Sequence, residues 1–256
     1  MFGLGKKYDV AMLSEIGKRS SQQDSIGYKI DKKSPGCFAV LADGMGGLLY
    51  GRDVSSLLVN GALELYESEA KWAASANEFL TGMIPRLNEK VLEMLESKEG
   101  DGGSTLIEVL ISGSNLYFSS VGDSKLFLLS MDGSTNKISR LNVDHNFGRD
   151  LDQLAQMGKI SYEEARGNVQ RNALTSYMGA ESVRLIDSSE DVIHLCKGDV
   201  IILASDGITA ALSNEEIQEC VSGYKSNEAV LNLTRKVEEK DRKSQDNYSA
   251  IVIRIL

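Results

Sequence analysis

Three blocks of this 256-residue chain share one grammar: an apolar run that stops at an aspartate next to a glycine or another small residue. They are Phe38-Ala39-Val40-Leu41-Ala42-Asp43-Gly44-Met45-Gly46-Gly47, Val121-Gly122-Asp123-Ser124 and Val200-Ile201-Ile202-Leu203-Ala204-Ser205-Asp206-Gly207. A fourth block, Asp246-Asn247, opens the closing apolar run instead of ending one. The run drives the chain into a core as a strand and leaves the carboxylate at the strand's rim. Several such rims meeting in one place make a divalent-metal site of oxygen ligands. Two like charges ~4 Å apart repel by about 4 kcal/mol at an effective dielectric of about 20. A cluster of Asp24, Asp43, Asp206 and Asp246 therefore implies bound cations, or protonated acids at neutral pH. Oxygen ligands favour manganese or magnesium over zinc.

A single Asp-Gly is more often only a turn. Asp132-Gly133 reads as a hairpin turn and Asp101-Gly102 as a flexible loop. The four blocks, however, come with further features. In Gly17-Lys18-Arg19-Ser20-Ser21-Gln22-Gln23-Asp24, an arginine and an aspartate stand five apart at the exit of Val10–Leu13. Such an arginine either pairs with a carboxylate or presents its two-pronged donor to a phosphate. Gly103-Ser104-Thr105-Leu106 is a small-residue lead-in to the run Leu106–Ile111, and Asp144-His145 precedes a polar, irregular stretch.

Arg-x-x-x-x-Asp, Asp-Gly-Met-Gly-Gly, Gly-Ser-Thr, Val-Gly-Asp-Ser-Lys, Asp-His, Ser-Asp-Gly and Asp-Asn, in that order from about Asp9 to Leu256, resemble one family. It is the metal-dependent serine/threonine protein phosphatases of type 2C, in their bacterial single-domain form. The resemblance implies two or three manganese or magnesium ions. Asp43 would bridge two of them, with the Gly44 carbonyl as a further ligand. Asp206 and Asp246 would hold one ion, Asp24 would help hold the other, and Asp123 with Asp206 would form a weaker third site. Arg19 would bind the substrate phosphate, making Arg19 and Asp43 the catalytic pair. A metal-bridging hydroxide would attack phosphorus directly, without a phosphoenzyme. Phosphorylated proteins would be the substrates, and a cognate serine/threonine kinase a partner.

The chain departs from the family at three places. Gln23 stands where many relatives have glutamate, so Asp24 must carry that ligand role. Met45 replaces a histidine of eukaryotic members and cannot protonate a leaving group. Lys125 replaces an arginine, keeping the charge without the planar fork. A catalytically silent binding module is the rival reading, but none of Asp43, Asp206 and Asp246 is missing. An aspartyl phosphotransferase is a second rival, through Asp150-Leu151-Asp152. That triplet lies in a helix-like stretch instead of at a strand end.

The elements that must position these residues alternate along the chain. Val54, Leu57, Leu58, Gly61, Ala62 and Leu65 follow helical spacing, as do Leu80, Ile84, Leu87, Val91 and Met94. Closely spaced strand-like segments follow at Leu106–Ser112, Leu116–Val121, Lys125–Ser130 and Lys137–Leu141, then Val183–Ile186, Asp191–Leu195 and Val200–Ala204. Ile217–Val221 and Ala229–Val237 read as helices, and Ser249–Ile255 as a last strand. The pattern predicts an α+β fold of two mostly antiparallel sheets with helix pairs outside. The resemblance implies the same four-layer α-β-β-α sandwich. One domain is expected over 1–256. A flap at about 146–172 is expected beside the active site, with Leu151, Leu154 and Met157 as a short helical stripe.

Composition narrows the function classes. The net charge of −9 carries no obvious basic patch, which argues against nucleic acid. No apolar run approaches the ~20 residues of a bilayer span, and Met1–Lys7 lacks the apolar core of a signal peptide. A cytoplasmic monomer is expected. Three cysteines, Cys37, Cys196 and Cys220, are read as buried, inert thiols, and none begins the Cys-x5-Arg loop of cysteine phosphatases. Two histidines are too few for a histidine-rich metal pair, and His194 is expected on a strand with Val192 and Cys196.

Overall fold

Every residue from Gly36 to Ala42 is buried, without the alternation of a one-sided strand. Both faces of this strand are covered. Phe38, Val40 and Ala42 pack against helices, while Cys37, Ala39 and Leu41 pack against a second sheet. The computed structural model describes residues 7–31, 36–69, 75–131 and 136–256.

One sheet contains β1 (Tyr8–Glu15), β11 (Tyr248–Ile255), β10 (Val200–Ala204), β6 (Lys125–Ser130) and β7 (Lys137–Arg140), in that spatial order. The other runs β2 (Asp24–Ile30), β3 (Gly36–Asp43), β4 (Leu106–Ser112), β5 (Asn115–Val121) and β8 (Asp187–Ser188), with β9 (Ile193–His194) also on β5. All the paired strands are antiparallel. Helices α1 (Gly51–Glu69) and α2 (Ala76–Lys98) cover the outer face of the second sheet through the two expected stripes. After the short α5 (Asp206–Thr209), helices α6 (Asn214–Val221) and α7 (Ser226–Glu239) cover the first. A middle core of Leu41, Val109, Ile111, Leu128, Leu203 and Ile251, among others, joins the sheets. The result is the expected α-β-β-α sandwich.

Between β7 and β8 lie α3 (Phe147–Gln156) and α4 (Tyr162–Gly167), with a small core of their own from Leu151, Ala155 and Ala165. Met157, expected in that stripe, is 67% exposed, because the helix turns Ala155 inward instead. Val183–Ile186 forms no strand. The Ser176 hydroxyl takes the Leu185 N–H at 3.0 Å and donates to the Leu185 carbonyl at 2.9 Å, so no ladder is left to form there. Asp191–Leu195 shrinks to β9, and Cys196 is exposed rather than buried, where the chain turns on the Asp199 carboxylate. His194 is exposed too, its Nδ1 3.0 Å from Asn115 Oδ1. Gly102, read as part of a flexible loop, is buried against Leu95 and Val54. The turn expected at Asp132-Gly133 and the N-terminal residues Met1–Lys6 lie outside the described residues.

Candidate metal centre

The register brings the strand ends together. Asp24 and Asp43 are direct partners across β2 and β3, and Val121 faces Leu106 across β5 and β4. In the other sheet, Ala204 faces both Ala250 and Lys125, so Asp206, Asp246 and Asp123 leave their strands at one edge. The two edges then bond to each other. Ser205 Oγ donates to Asp24 Oδ2 at 2.9 Å, and the Asp206 N–H points at Asp43 Oδ2 from 3.5 Å. Thr105 Oγ1 and Ser124 Oγ meet at 2.8 Å.

The glycines here answer to close approach. A Cβ on Gly207 would sit 2.0 Å from the Asn247 carbonyl oxygen, so the chain after Asp206 could not lie on the start of β11. Gly17 has φ +60° and would meet the Asp246 carbonyl at 2.2 Å, which fixes the path of the Arg19 loop.

Three short polar residues hold this edge, and their roles were not assigned from the sequence. Thr105 Oγ1 accepts the Asp43 N–H at 3.0 Å, and Ser104 Oγ donates to the Asp43 carbonyl at 2.9 Å. Gly-Ser-Thr is thus a clamp on the main chain of Asp43. Asn247 donates to the carbonyls of Ile16 at 2.8 Å and Ser21 at 3.0 Å, and accepts the Gln23 N–H at 2.9 Å. The motifs flagged these positions, but their partners lie up to 231 residues away in sequence.

The carboxylates crowd one another. Burial lifts Asp24 above the ordinary carboxylate range, although Ser249 and Ser205 hydrogen bonds oppose the rise. Asp43 is held well above it, by burial first and then by the charges of Asp24, Asp206 and Asp123. Asp206 is pushed up to about 6 by the protein packed around it, and then by Asp246 and Asp24. Asp123 also rises to about 6, by burial and then by Asp206, while Asn146 Nδ2 donates to it at 3.3 Å. Asp24 Oδ1 is buried with no hydrogen-bond partner.

Of the two partners open to Arg19, the structure shows the carboxylate. Arg19 Nη2 lies 2.6 Å from Asp246 Oδ2, so the guanidinium and this carboxylate satisfy each other. Among the described residues, no three acidic, histidine or cysteine side chains close on one point as a finished ligand cage. The donor set nonetheless fits hard cations. It is all oxygen, it holds more negative charge than it can keep ionised, and it contains an orphaned buried oxygen. Asp144 and His145 stand apart from it. Arg140 grips Asp144 with bonds of 2.9 and 2.6 Å, and His145 Nδ1 accepts the Gly122 N–H at 3.2 Å. The pair braces the Asp123 turn.

Residues 13–245 match the family described as Protein phosphatase 2C. The chain belongs to that family. Protein phosphatases 2C use manganese or magnesium, so the expected activity class and cofactor are borne out. A putative protein phosphatase 2C-type of Streptococcus pyogenes is 30% identical over 211 residues, covering 81% of this chain and 82% of that protein. The S. agalactiae serine/threonine phosphatase structure is 26% identical with a TM-score of 0.78, covering 97% of this chain and 100% of that one. The catalytic domain of the phosphatase PstP, solved with two manganese ions, shares the fold. Its TM-score is 0.75 at 24% identity, over 97% of this chain and 98% of that one.

Proposed function

We propose that this protein phosphatase 2C removes phosphate from phosphoserine and phosphothreonine side chains of proteins by direct displacement with water. The observation that carries the reading is the convergence on Asp43. Asp24, Asp206 and Asp123 each raise its proton affinity, from strand ends of both sheets. Asp43 would serve two ions and the Gly44 carbonyl one of them, with Asp206 and Asp246 holding one ion and Asp24 helping to hold the other. Asp123 with Asp206 would take a weaker third. Manganese or magnesium held there would supply a water made nucleophilic near neutral pH and would offset charge developing on the phosphoryl oxygens.

The protein's own groups do the rest. The Arg19 fork that holds Asp246 matches a phosphate equally well. Asn247 keeps its loop in place from below. Thr105 and Ser104 fix the Asp43 main chain, so its carboxylate cannot drift with its strand end. Met45 has no proton to give, so the leaving oxygen takes its proton from water. Residues 146–172 act as a flap on a single domain. Substrates are phosphoproteins, with a cognate serine/threonine kinase acting in the opposite direction on a cytoplasmic monomer. No helix among the described residues is long and apolar enough to cross a membrane.

The test is hydrolysis of p-nitrophenyl phosphate and a phosphothreonine peptide with manganese, with magnesium and with excess chelator. Asp43→Asn is the control. Metal-dependent release that vanishes in chelator and in the variant is expected. No turnover with manganese demonstrably bound would leave the silent binding module in its place.

A further inference from the structure

A hollow of about 620 Å³ opens beside the aspartate rim, with Asp123 and Asp206 among its lining residues and α3 along it. Four cations line it: Lys125, Arg140, Arg149 and Arg171. Two are already matched, Arg140 to both oxygens of Asp144 and Arg171 to both oxygens of Asp152. Among the described residues, neither Lys125 nor Arg149 forms a salt bridge, and the only carboxylate that the Lys125 charge favours is Asp123 of the rim. Arg149 Nη1 reaches only the Asp144 main-chain oxygen, at 3.5 Å.

The anions left over are Asp123 and Asp206, and both belong to the rim. With cations bound at the rim, the hollow keeps two uncompensated positive groups, set among amides such as Asn142, Asn146 and Gln153. Such a surface is matched by an anion. On a chain of net charge −9, an acidic substrate would otherwise be repelled at this approach.

We propose that this hollow is an anion subsite that reads a second acidic group of the substrate, phosphoryl or carboxylate, near the phosphoresidue being hydrolysed. The proposal rests on the phosphatase reading above. Lys125 and Arg149 bind and position; they do not take part in the displacement. Arg149 is the better reporter, because Lys125 stands only two residues from Asp123.

The test uses the whole chain with manganese. Phosphothreonine peptides carry alanine, glutamate or a non-hydrolysable phosphonate mimic of phosphoserine at one neighbouring position, moved along either side in turn. p-Nitrophenyl phosphate, which carries no second acidic group, is the reference. At the best position, the acidic peptides should exceed the alanine peptide in kcat/KM by about tenfold, mainly through KM. Arg149→Ala should cut that preference to about twofold or less, and Arg149→Lys should restore part of it. Neither variant should change p-nitrophenyl phosphate turnover. A larger effect of the phosphonate than of glutamate assigns the subsite to a phosphoryl group, and equal effects assign it to charge alone. No acidic preference in the wild type, a preference that survives Arg149→Ala, or a parallel loss of p-nitrophenyl phosphate turnover would overturn the subsite. No turnover of either substrate by the wild type would overturn the phosphatase reading and the subsite with it.

Discussion

Two places in this molecule hold carboxyl groups whose proton affinity is raised, and they are relieved in different ways. At the rim, Asp24, Asp43, Asp123 and Asp206 come from four strand ends, and burial together with the charge of another rim aspartate, Asp246 in the case of Asp24, raises the proton affinity of each. In the second sheet, Glu108 sits alone in the middle of β4, fully buried, with only the Ser119 hydroxyl at 2.8 Å on Oε2 and nothing on Oε1. Burial pushes Glu108 up to about 8. It shares the face of Leu106 and Leu110, which packs against α1 and α2. The rim is several charges at an edge that a cation can enter. Glu108 is one acid in a closed layer, where only a proton can remove the charge. Raised proton affinity therefore marks a candidate function only where the groups are plural and reachable.

The largest effect that tests this contrast is at the rim. Asp206→Asn should lower phosphate hydrolysis by about a thousandfold or more, because a ligand shared between ions is lost. In chelator the same variant should melt at the wild-type temperature or above it, since one of the mutually repelling charges is gone. Manganese at about a hundred times its dissociation constant should add about 2.7 kcal/mol to the wild type and clearly less to the variant. Melting curves with manganese and with chelator measure both. A clear loss of stability in chelator would mean that Asp206 does hydrogen-bonding work instead, and the rim would then resemble the Glu108 site.

Glu108 sharpens the contrast from the other side. Its folded proton affinity lies above its unfolded value of 4.5, so the folded state binds more protons between the two. The contribution to stability is full below about pH 4.5 and is lost as pH rises through about 8. Asp43 and its neighbours titrate in overlapping windows, so the clean quantity is the difference between Glu108→Gln and wild type at each pH. That difference should move in favour of the variant by up to about 1.4 kcal/mol per pH unit between pH 5 and 8, then flatten. The same slope should appear with and without manganese, since no metal reaches this layer. A difference flat with pH would mean that Glu108 is already ionised in the fold, and that its layer is not closed to a compensating charge.

The contrast also explains what could be read ahead of the structure. The bounds of β4, β6 and β10 follow from apolar runs, broken in β4 only by Glu108, because both faces of each strand are covered. The runs of β3, β5 and β10 point to the rim, since each leads to its aspartate, Asp43, Asp123 and Asp206. Glu108 went unremarked inside Leu106–Ile111, although a lone acid in an apolar strand was itself the signal. Edges were less legible. Val183–Ile186 has strand composition, yet the Ser176 hydroxyl claims its backbone groups, and no local pattern announces a side chain nine residues away. The Arg19–Asp246 contact spans 227 residues and depends on how two loops cross. The sequence offered phosphate and carboxylate as equal partners for Arg19, and only the crossing of Gly17 over Asp246 brings the second within reach.

That crossing can be loosened without touching a carboxylate, which makes the smallest and most selective prediction. Asn247→Ala removes the donors to Ile16 and Ser21 and the acceptor of the Gln23 N–H. Main-chain groups left without partners cost about 1–3 kcal/mol, so a modest drop in melting temperature is expected. The carboxylates remain, so manganese should still stabilise the variant by nearly the wild-type amount. What should change is substrate handling, because the loop that carries Arg19 is no longer held against the start of β11. KM for p-nitrophenyl phosphate should rise several-fold while kcat falls less, the pattern of a loosened binding group rather than a lost metal. If manganese stabilisation collapses along with KM, the loop is part of the metal cage itself, and the division between the Arg19 loop and the aspartate rim is wrong.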